Sequence, residues 1–195
     1  MDLRSRAAPY LRPVRKNLAF VGTSRRRARY FRDGIEGICM ELRQAIDCAA
    51  ILREYGAKVG SAPSIHGPLH IMNAPGDFSR LTIGDEVYIG PDVLIDLVDT
   101  VTIGNQVAII SRSNIMTHID VGPGPLKERR PRRHGPVVIE DGAYLGAGVT
   151  VLHGVTIGRQ ATIGAHCLVR KDVAAHSTYV SPEAALLPER PRAQS

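Results

Sequence analysis

His118 is the residue in this sequence best placed to move a proton. It stands where a regular aliphatic pattern breaks off and a stretch without that pattern begins. A neutral imidazole, with an ordinary pKa near about 6.5, can take the proton of an attacking hydroxyl. Asp120, two residues further on, is the carboxylate expected to orient the ring. The plainer reading of His118 is a loop-edge histidine making an ordinary hydrogen bond. Lys127, Arg129, Arg130, Arg132 and Arg133 crowd the same stretch, and such a cluster is either a solvated face or a magnet for anions. A second chemistry needs a different set. Zinc wants three or four imidazole or thiolate ligands; His118 and His153 are two, and His134 joins them only if the loop brings it there. No metal is expected. Cys39, Cys48 and Cys167 are an odd number with no metal spacing, and read as small buried thiols in a reducing compartment.

The elements that must position these residues follow one rule. Ile139, Leu145, Val151, Ile157, Ile163 and Val169 stand six residues apart without a slip. A fixed period marks a repeat architecture, and six is a poor period for a helix. It suits short flat strokes with a corner every six residues, three to a turn of the coil. Gly146, Gly158 and Gly164 follow three of these aliphatics and are read as corners needing a positive φ. Small or β-branched residues recur four after each aliphatic: Ala143, Val149, Val155, Ala161, Cys167 and Val173. The triplets Ile103/Ile109/Ile115, Ile83/Ile89/Ile95 and Val59/Ile65/Ile71 repeat the spacing upstream. The coils then start at Val59, Ile83, Ile103, Ile139 and Ile157. Only the last step is a perfect turn; the others carry about 6, 2 and 18 extra residues, which emerge as loops. His118 opens the largest. Residues 74–79 are a turn-rich excursion.

The rest of the chain is an appendage. Ten of its 25 basic residues fall in the first 32, against one acid, Asp2. Pro9 and Pro13 are expected to leave residues 1–32 irregular. Ile35, Ile38, Leu42, Ile46 and Ala49 then recur at helical spacing, so a helical segment is predicted over roughly 24–55, with Asp33 capping its start and Gly56 ending it. Its apolar stripe packs on the first coil and shields the open edge, or serves a membrane surface or partner. Residues 1–12 lack the apolar core of a secretory signal, and no run of 18 apolar residues is present to span a membrane. The basic runs bring no nucleic-acid motif with them; no nucleic-acid partner is expected. The tail from Ala174, with Pro182, Pro188 and Pro191, begins along the last coil and ends mobile.

At this point the sequence has a likeness. The segments LTIGDEVYIG (residues 81–90), VTIGNQVAI (101–109) and YLGAGVTVLHGVTIGRQATIGAHCLVRKDV (144–173) resemble the hexapeptide-repeat acyltransferases, over about two thirds of the chain. Within that family the sequence is most similar to the sugar and polysaccharide O-acetyltransferases, whose third coil ends in a Thr-His pair, here Thr117-His118, opening a long loop. The resemblance implies a left-handed parallel β-helix, and homotrimers with active sites between adjacent prisms and acetyl-CoA along the last coils. It implies His118 as general base and Tyr144 packing on coenzyme or acceptor; Asp96, which stands where a corner glycine is missing, is expected to reach the acceptor hydroxyl or to be a solvated corner residue. Backbone N–H groups of Gly146, Gly164 and Ala165 are expected to serve the thioester or pantetheine, and Arg170 and Lys171 the phosphates. Val151-Leu152-His153-Gly154 is also similar to a segment of the γ-class carbonic anhydrases, but the ligand expected five residues before His153 is Gly148.

The expectation is therefore an all-β solenoid of about five coils. Residues 1–57 form a basic N-terminal segment with a helix, 58–174 the left-handed β-helix with a loop at 119–137, and 175–195 a tail. Its activity is acetyl transfer from acetyl-CoA to a carbohydrate hydroxyl, in the cytoplasm, with peripheral contact to the inner membrane face through the basic N-terminus. The rivals are N-acetylation of an amino or nucleotide sugar, a carbonic-anhydrase-like metal protein, and a scaffold without catalysis.

Overall fold

A computed structural model describes residues 8–182, with side chains from residue 24 onward. The expected mobile end of the tail and the first seven residues lie outside it. The hexads fold as predicted into a parallel solenoid with three faces. The first face stacks Lys58–Val59, Leu81–Ile83, Val101–Ile103, Val137–Ile139 and Thr156–Ile157. The second stacks Ser64–Ile65, Tyr88–Ile89, Ala108–Ile109, Tyr144–Leu145, Thr162–Ile163 and Thr178–Tyr179. The third stacks Leu69–Met72, Val93–Asp96, Asn114–Ile115, Thr150–Val151 and Leu168–Val169. Val59, Ile83, Ile103, Ile139 and Ile157 are in register, and a bridge from Ile157 to Val173 starts a sixth, partial coil that the sequence reading ended at Val173. The isoleucines, leucines and valines of these columns are buried almost throughout, as are the small residues four positions on.

The corners work differently from expectation. Gly146, Gly158 and Gly164 do not have positive φ. That conformation falls three residues after most aliphatics of the first two faces and after Val151, as at Gly142, Gly148, Gly154, and at Glu86, Gln106, Gln160 and His166. The glycine just after the aliphatic is required by close approach instead. A Cβ on Gly104 would lie 2.5 Å from Asp141 Oδ1 and 2.7 Å from its backbone nitrogen. The space is taken because the next coil's side chain caps this corner. Asp141 Oδ1 accepts from Asn105 N at 2.8 Å, Asn105 Oδ1 from Asp85 N at 2.8 Å, and Asp85 Oδ1 from Ser61 N at 2.6 Å. Four coils are stitched by one column of three side-chain-to-backbone hydrogen bonds.

The N-terminal segment is more helical than predicted. α1 spans Ala8–Leu42, with a break at Gly34 (φ 64, ψ −158). Pro9 falls in the first turn, where no intrahelical partner is needed for its missing N–H, and the Arg, Ala and Leu that follow are good helix formers. Asp33 does not cap a helix; it pairs with Arg32. The cap is Asp47, which accepts from Ala50 N at 2.9 Å and opens α2, Cys48–Glu54. Gly56, with φ 100, follows its end as expected. Ile35, Ile38, Leu42 and Ala49 are buried, but Ile46 lies in the link between the helices and is fully exposed. α1 packs on Leu69–Met72 and α2 on Lys58–Val59, so together they cover the first coil. Arg26 ties them, reaching Glu54 at 2.9 Å and Glu41 at 3.3 Å. The excursion at 74–79 is more than a turn: Phe78 is fully buried and meets Tyr55, which meets Tyr30. No helix among the described residues is long and apolar enough to cross a membrane. Cys39, Cys48 and Cys167 are free and buried; burial pushes the Cys39 thiol up to about 12.

Two substitutions separate the two demands made at a corner. Asn105→Ala removes one cap and costs about 1 kcal/mol. Gly104→Ala forces Asp141 aside and costs about 1–3 kcal/mol. Urea unfolding of both variants measures the order; a Gly104→Ala protein as stable as the wild type overturns the close-approach account.

Candidate active site

The third-to-first corner carries the site, because the large loop leaves the solenoid there. Register places Asp96, Met116, Leu152 and Arg170 one above another, each following a buried aliphatic of the third face. Thr117 and His118 continue from Met116 into the loop. The loop returns as a two-stranded antiparallel ribbon, His118–Ile119 against Arg133–His134, with His118 opposite His134. Between the strands lies one short helix, Leu126–Arg129.

Asp96 is fully buried, and four donors converge on its carboxylate. His118 Nδ1 lies 2.6 Å from Oδ2, Thr117 Oγ1 2.7 Å and Thr117 N 3.0 Å from the same oxygen, and Asn73 Nδ2 donates to Oδ1 at 2.6 Å. Burial pushes the Asp96 carboxyl up, but the hydrogen bonds from Asn73, His118 and Thr117 outweigh it and hold the group below its ordinary value. An ionised carboxylate only accepts, so Nδ1 of His118 carries a hydrogen, and in the neutral ring the lone pair is on Nε2. The side chain of His118 is 19% exposed.

The carboxylate on the His118 ring is thus Asp96 and not Asp120. Asp120 is held elsewhere: it accepts from Gly122 N at 2.9 Å and faces Arg132 at 3.8 Å. Asp120 lies beyond the end of the strand His118–Ile119 and is taken up by its own turn and by Arg132, while the coil below brings residue 96 up to the ring. A second pair lies alongside. His134 Nδ1 is 2.7 Å from Asp99 Oδ2, and the hydrogen bond from His134 holds the Asp99 carboxyl low. Thr117 Oγ1 links the pairs, accepting from Asp99 N at 3.0 Å. Asn73 and Asp99 have no role in the sequence expectations, where Thr117 enters only as the partner of His118 in the Thr-His pair and His134 only as a conditional third metal ligand; coil register is the signal for Asn73, since Met72 pairs with Asp96. Among the described residues no three His, Cys, Asp or Glu side chains group to hold a metal ion.

The remaining candidates divide. Arg170 and Lys171 stand on the corner of His118, two coils on, and both are exposed. Tyr144 is half-exposed on the second face, and Gly146, Gly164 and Ala165 form the second-to-third corner. The width of the third face separates them from His118 within one chain. The glycine amides are also committed: Gly146 N donates to Ile163 O and Gly164 N to Tyr179 O, both at 2.8 Å. These two N–H groups belong to the solenoid ladder and are not open to a ligand. Of the three amides, Ala165's is the one outside the ladder.

The lowered Asp96 value has a direction in stability. A carboxyl held low in the folded state stabilises fully above the unfolded value, about 3.9, and loses that contribution as pH falls through the folded value. Asp96→Asn also turns a donor toward Asn73, Thr117 and His118, costing about 1–3 kcal/mol near neutrality. Urea unfolding from pH 7 downward is expected to show the gap between wild type and variant closing in acid. A constant gap overturns the account.

Residues 136–171 match the model for the bacterial transferase hexapeptide (six repeats). The chain is 36% identical over 97 residues to a galactoside O-acetyltransferase of Lactococcus lactis, covering 50% of this chain but 37% of that one. It is 29% identical over 142 residues to a putative colanic acid biosynthesis acetyltransferase of Escherichia coli, covering 73% of this chain and 74% of that one. In fold it is similar to a hexapeptide-repeat-containing acetyltransferase of Vibrio cholerae solved with acetyl-CoA, with a TM-score of 0.64 at 24% identity over 74% of this chain and 78% of that one. The six-residue repeat matched over residues 136–171 and the three-faced parallel solenoid make the chain similar to the hexapeptide-repeat transferases in sequence pattern and in fold.

Proposed function

We propose that this protein transfers the acetyl group of acetyl-CoA directly to a hydroxyl of a carbohydrate acceptor, with His118 as general base. The observation that carries the reading is the His118–Asp96 pair at the mouth of the inserted loop. The relatives supply the substrate classes: one is a galactoside O-acetyltransferase, another is tied to colanic acid biosynthesis, and the Vibrio structure holds acetyl-CoA.

The chemistry runs through this chain's own atoms. Nε2 of His118 accepts the acceptor's hydroxyl proton as its oxygen forms a bond to the thioester carbonyl. Asp96 holds the ring in the tautomer that allows this and favours the imidazolium that results. The proton then passes to the departing thiolate, and the carbon–sulfur bond breaks. Asp120 takes no part. A hydroxyl needs a base more than an amine does, which favours O- over N-acetylation. Tyr144 and the Ala165 amide lie across the third face from His118, so a homotrimer, in which one copy's face meets another's corner, is the assembly that brings them near one site. Three free, buried cysteines and the use of acetyl-CoA accord with the cytoplasm. Exposed Phe31 beside Arg32 on α1 supports contact with an anionic membrane face.

The test is release of free thiol from acetyl-CoA against neutral sugars, oligosaccharides and nucleotide sugars. His118→Ala is expected to lower kcat by about 10²–10⁴ while staying folded, with about 1–3 kcal/mol of stability lost with its hydrogen bond to Asp96, and Asp96→Asn to lower kcat as well. Asp120→Ala is expected to behave as wild type, and a chelator to change nothing. No thiol release with any acceptor, together with no calorimetric binding of CoA, overturns the reading.

A further inference from the structure

The ribbon turns Arg133 to the side opposite His134, and the short helix with its C-cap places Arg129 and Arg130 beside Arg133. Alternate residues of an extended strand point to opposite faces. His118 and His134 share one side with Asp120 and Arg132. Ile119 and Arg133, paired across the ribbon, share the other. On that second side lies a cleft of about 470 Å³ between the loop and the two coils beyond His118. Arg129, Arg130 and Arg133 enter it from the loop, Arg170 and His153 from the corner, and Ile119 and Leu152 give it an apolar floor.

No carboxylate lines this cleft. Among the described residues none of its four guanidinium groups is in an ion pair, whereas Arg132, one position along, faces Asp120 at 3.8 Å. Four like charges brought into one concavity repel each other unless something negative joins them. Guanidinium forks match phosphate oxygens two at a time. A single carboxylate is too little charge for four of them; a diphosphate suits better. The apolar floor receives the uncharged part of the same ligand.

We propose that this cleft is a phosphoanhydride-binding site, in which Arg129, Arg130 and Arg133 of the inserted loop close with Arg170 on the diphosphate of a ligand. The diphosphate comes from the acyl donor or from a nucleotide-linked acceptor. Binding stands on the geometry alone; the choice between those sources rests on the function proposed above.

Calorimetric titration of inorganic pyrophosphate into the full chain tests the site without turnover. Wild type is expected to bind, more weakly as salt rises. Arg130→Ala and Arg133→Ala are each expected to weaken binding about tenfold, while Arg132→Ala, on the other side of the ribbon, leaves it unchanged. No binding by wild type, or equal loss in Arg132→Ala, overturns the proposal. Kinetics then identify the source. If the donor brings the diphosphate, Arg133→Ala raises KM for acetyl-CoA about tenfold and leaves KM for S-acetylpantetheine alone. If the acceptor brings it, the same split separates a nucleotide sugar from the free sugar. A protein that binds pyrophosphate in this pattern yet transfers no acetyl group keeps the site and sinks the transferase reading.

Discussion

Every turn of this chain has to return in phase. A coil is held to the next by backbone hydrogen bonds on three faces, and its aliphatics fill the interior only when they lie over those of the coil before. A turn one residue out of step would send an aliphatic side chain outward and a polar one in. The chain therefore absorbs extra residues at corners alone. The first turn sheds residues 74–79 beyond Met72 and the third sheds its long loop beyond Met116, both at the third-to-first corner, and the columns resume in register afterwards. Function is left to what leaves the corner.

That constraint is what makes Asp96 useful. A carboxylate buried without partners would be costly. Here three successive coils each bring a donor or the acceptor to one point: Asn73 from the first, Asp96 from the second, Thr117 and His118 from the third. The ring of His118 is fixed by the same register that stacks the isoleucines, with no dedicated scaffold. Thr117 extends the arrangement, because its hydroxyl meets Asp96 on one side and the backbone of Asp99 on the other. The two histidine–carboxylate pairs of the ribbon are thereby joined through one buried side chain.

How much of this was legible in the sequence depends on the distance over which each signal acts. The hexads were readable because the period belongs to the chain itself, and the five coil starts lie where the spacing puts them. Glycine was harder, since it answers two different needs: Gly142 supplies a positive φ, whereas Gly104 makes room for a side chain 37 residues later. Gly146 and Gly164 looked like open amides, but a ladder uses the N–H that follows each aliphatic. His118 stood out at the edge of the pattern. Its partner did not, because proximity along the chain favoured Asp120, while a solenoid makes neighbours of residues one coil apart. The helix boundaries were blurred by Gly34, which breaks α1 where Asp33 looked like a cap.

The basic loop shows the same limit at shorter range. Lys127, Arg129, Arg130, Arg132 and Arg133 read as one cluster, and a cluster invites one partner. The backbone sends them three ways. Lys127 lies at the loop's tip among Pro123 and Pro125, Arg132 turns toward Asp120, and Arg129, Arg130 and Arg133 gather over Leu152 and Arg170. A period of two is enough to place adjacent arginines in different environments. Net charge along a sequence measures attraction to anions in general. Which anion, and where, is decided only after the backbone has sorted its side chains: the strand sets Arg133 apart from His134, and the short helix and its C-cap bring Arg129 and Arg130 to the side of Arg133.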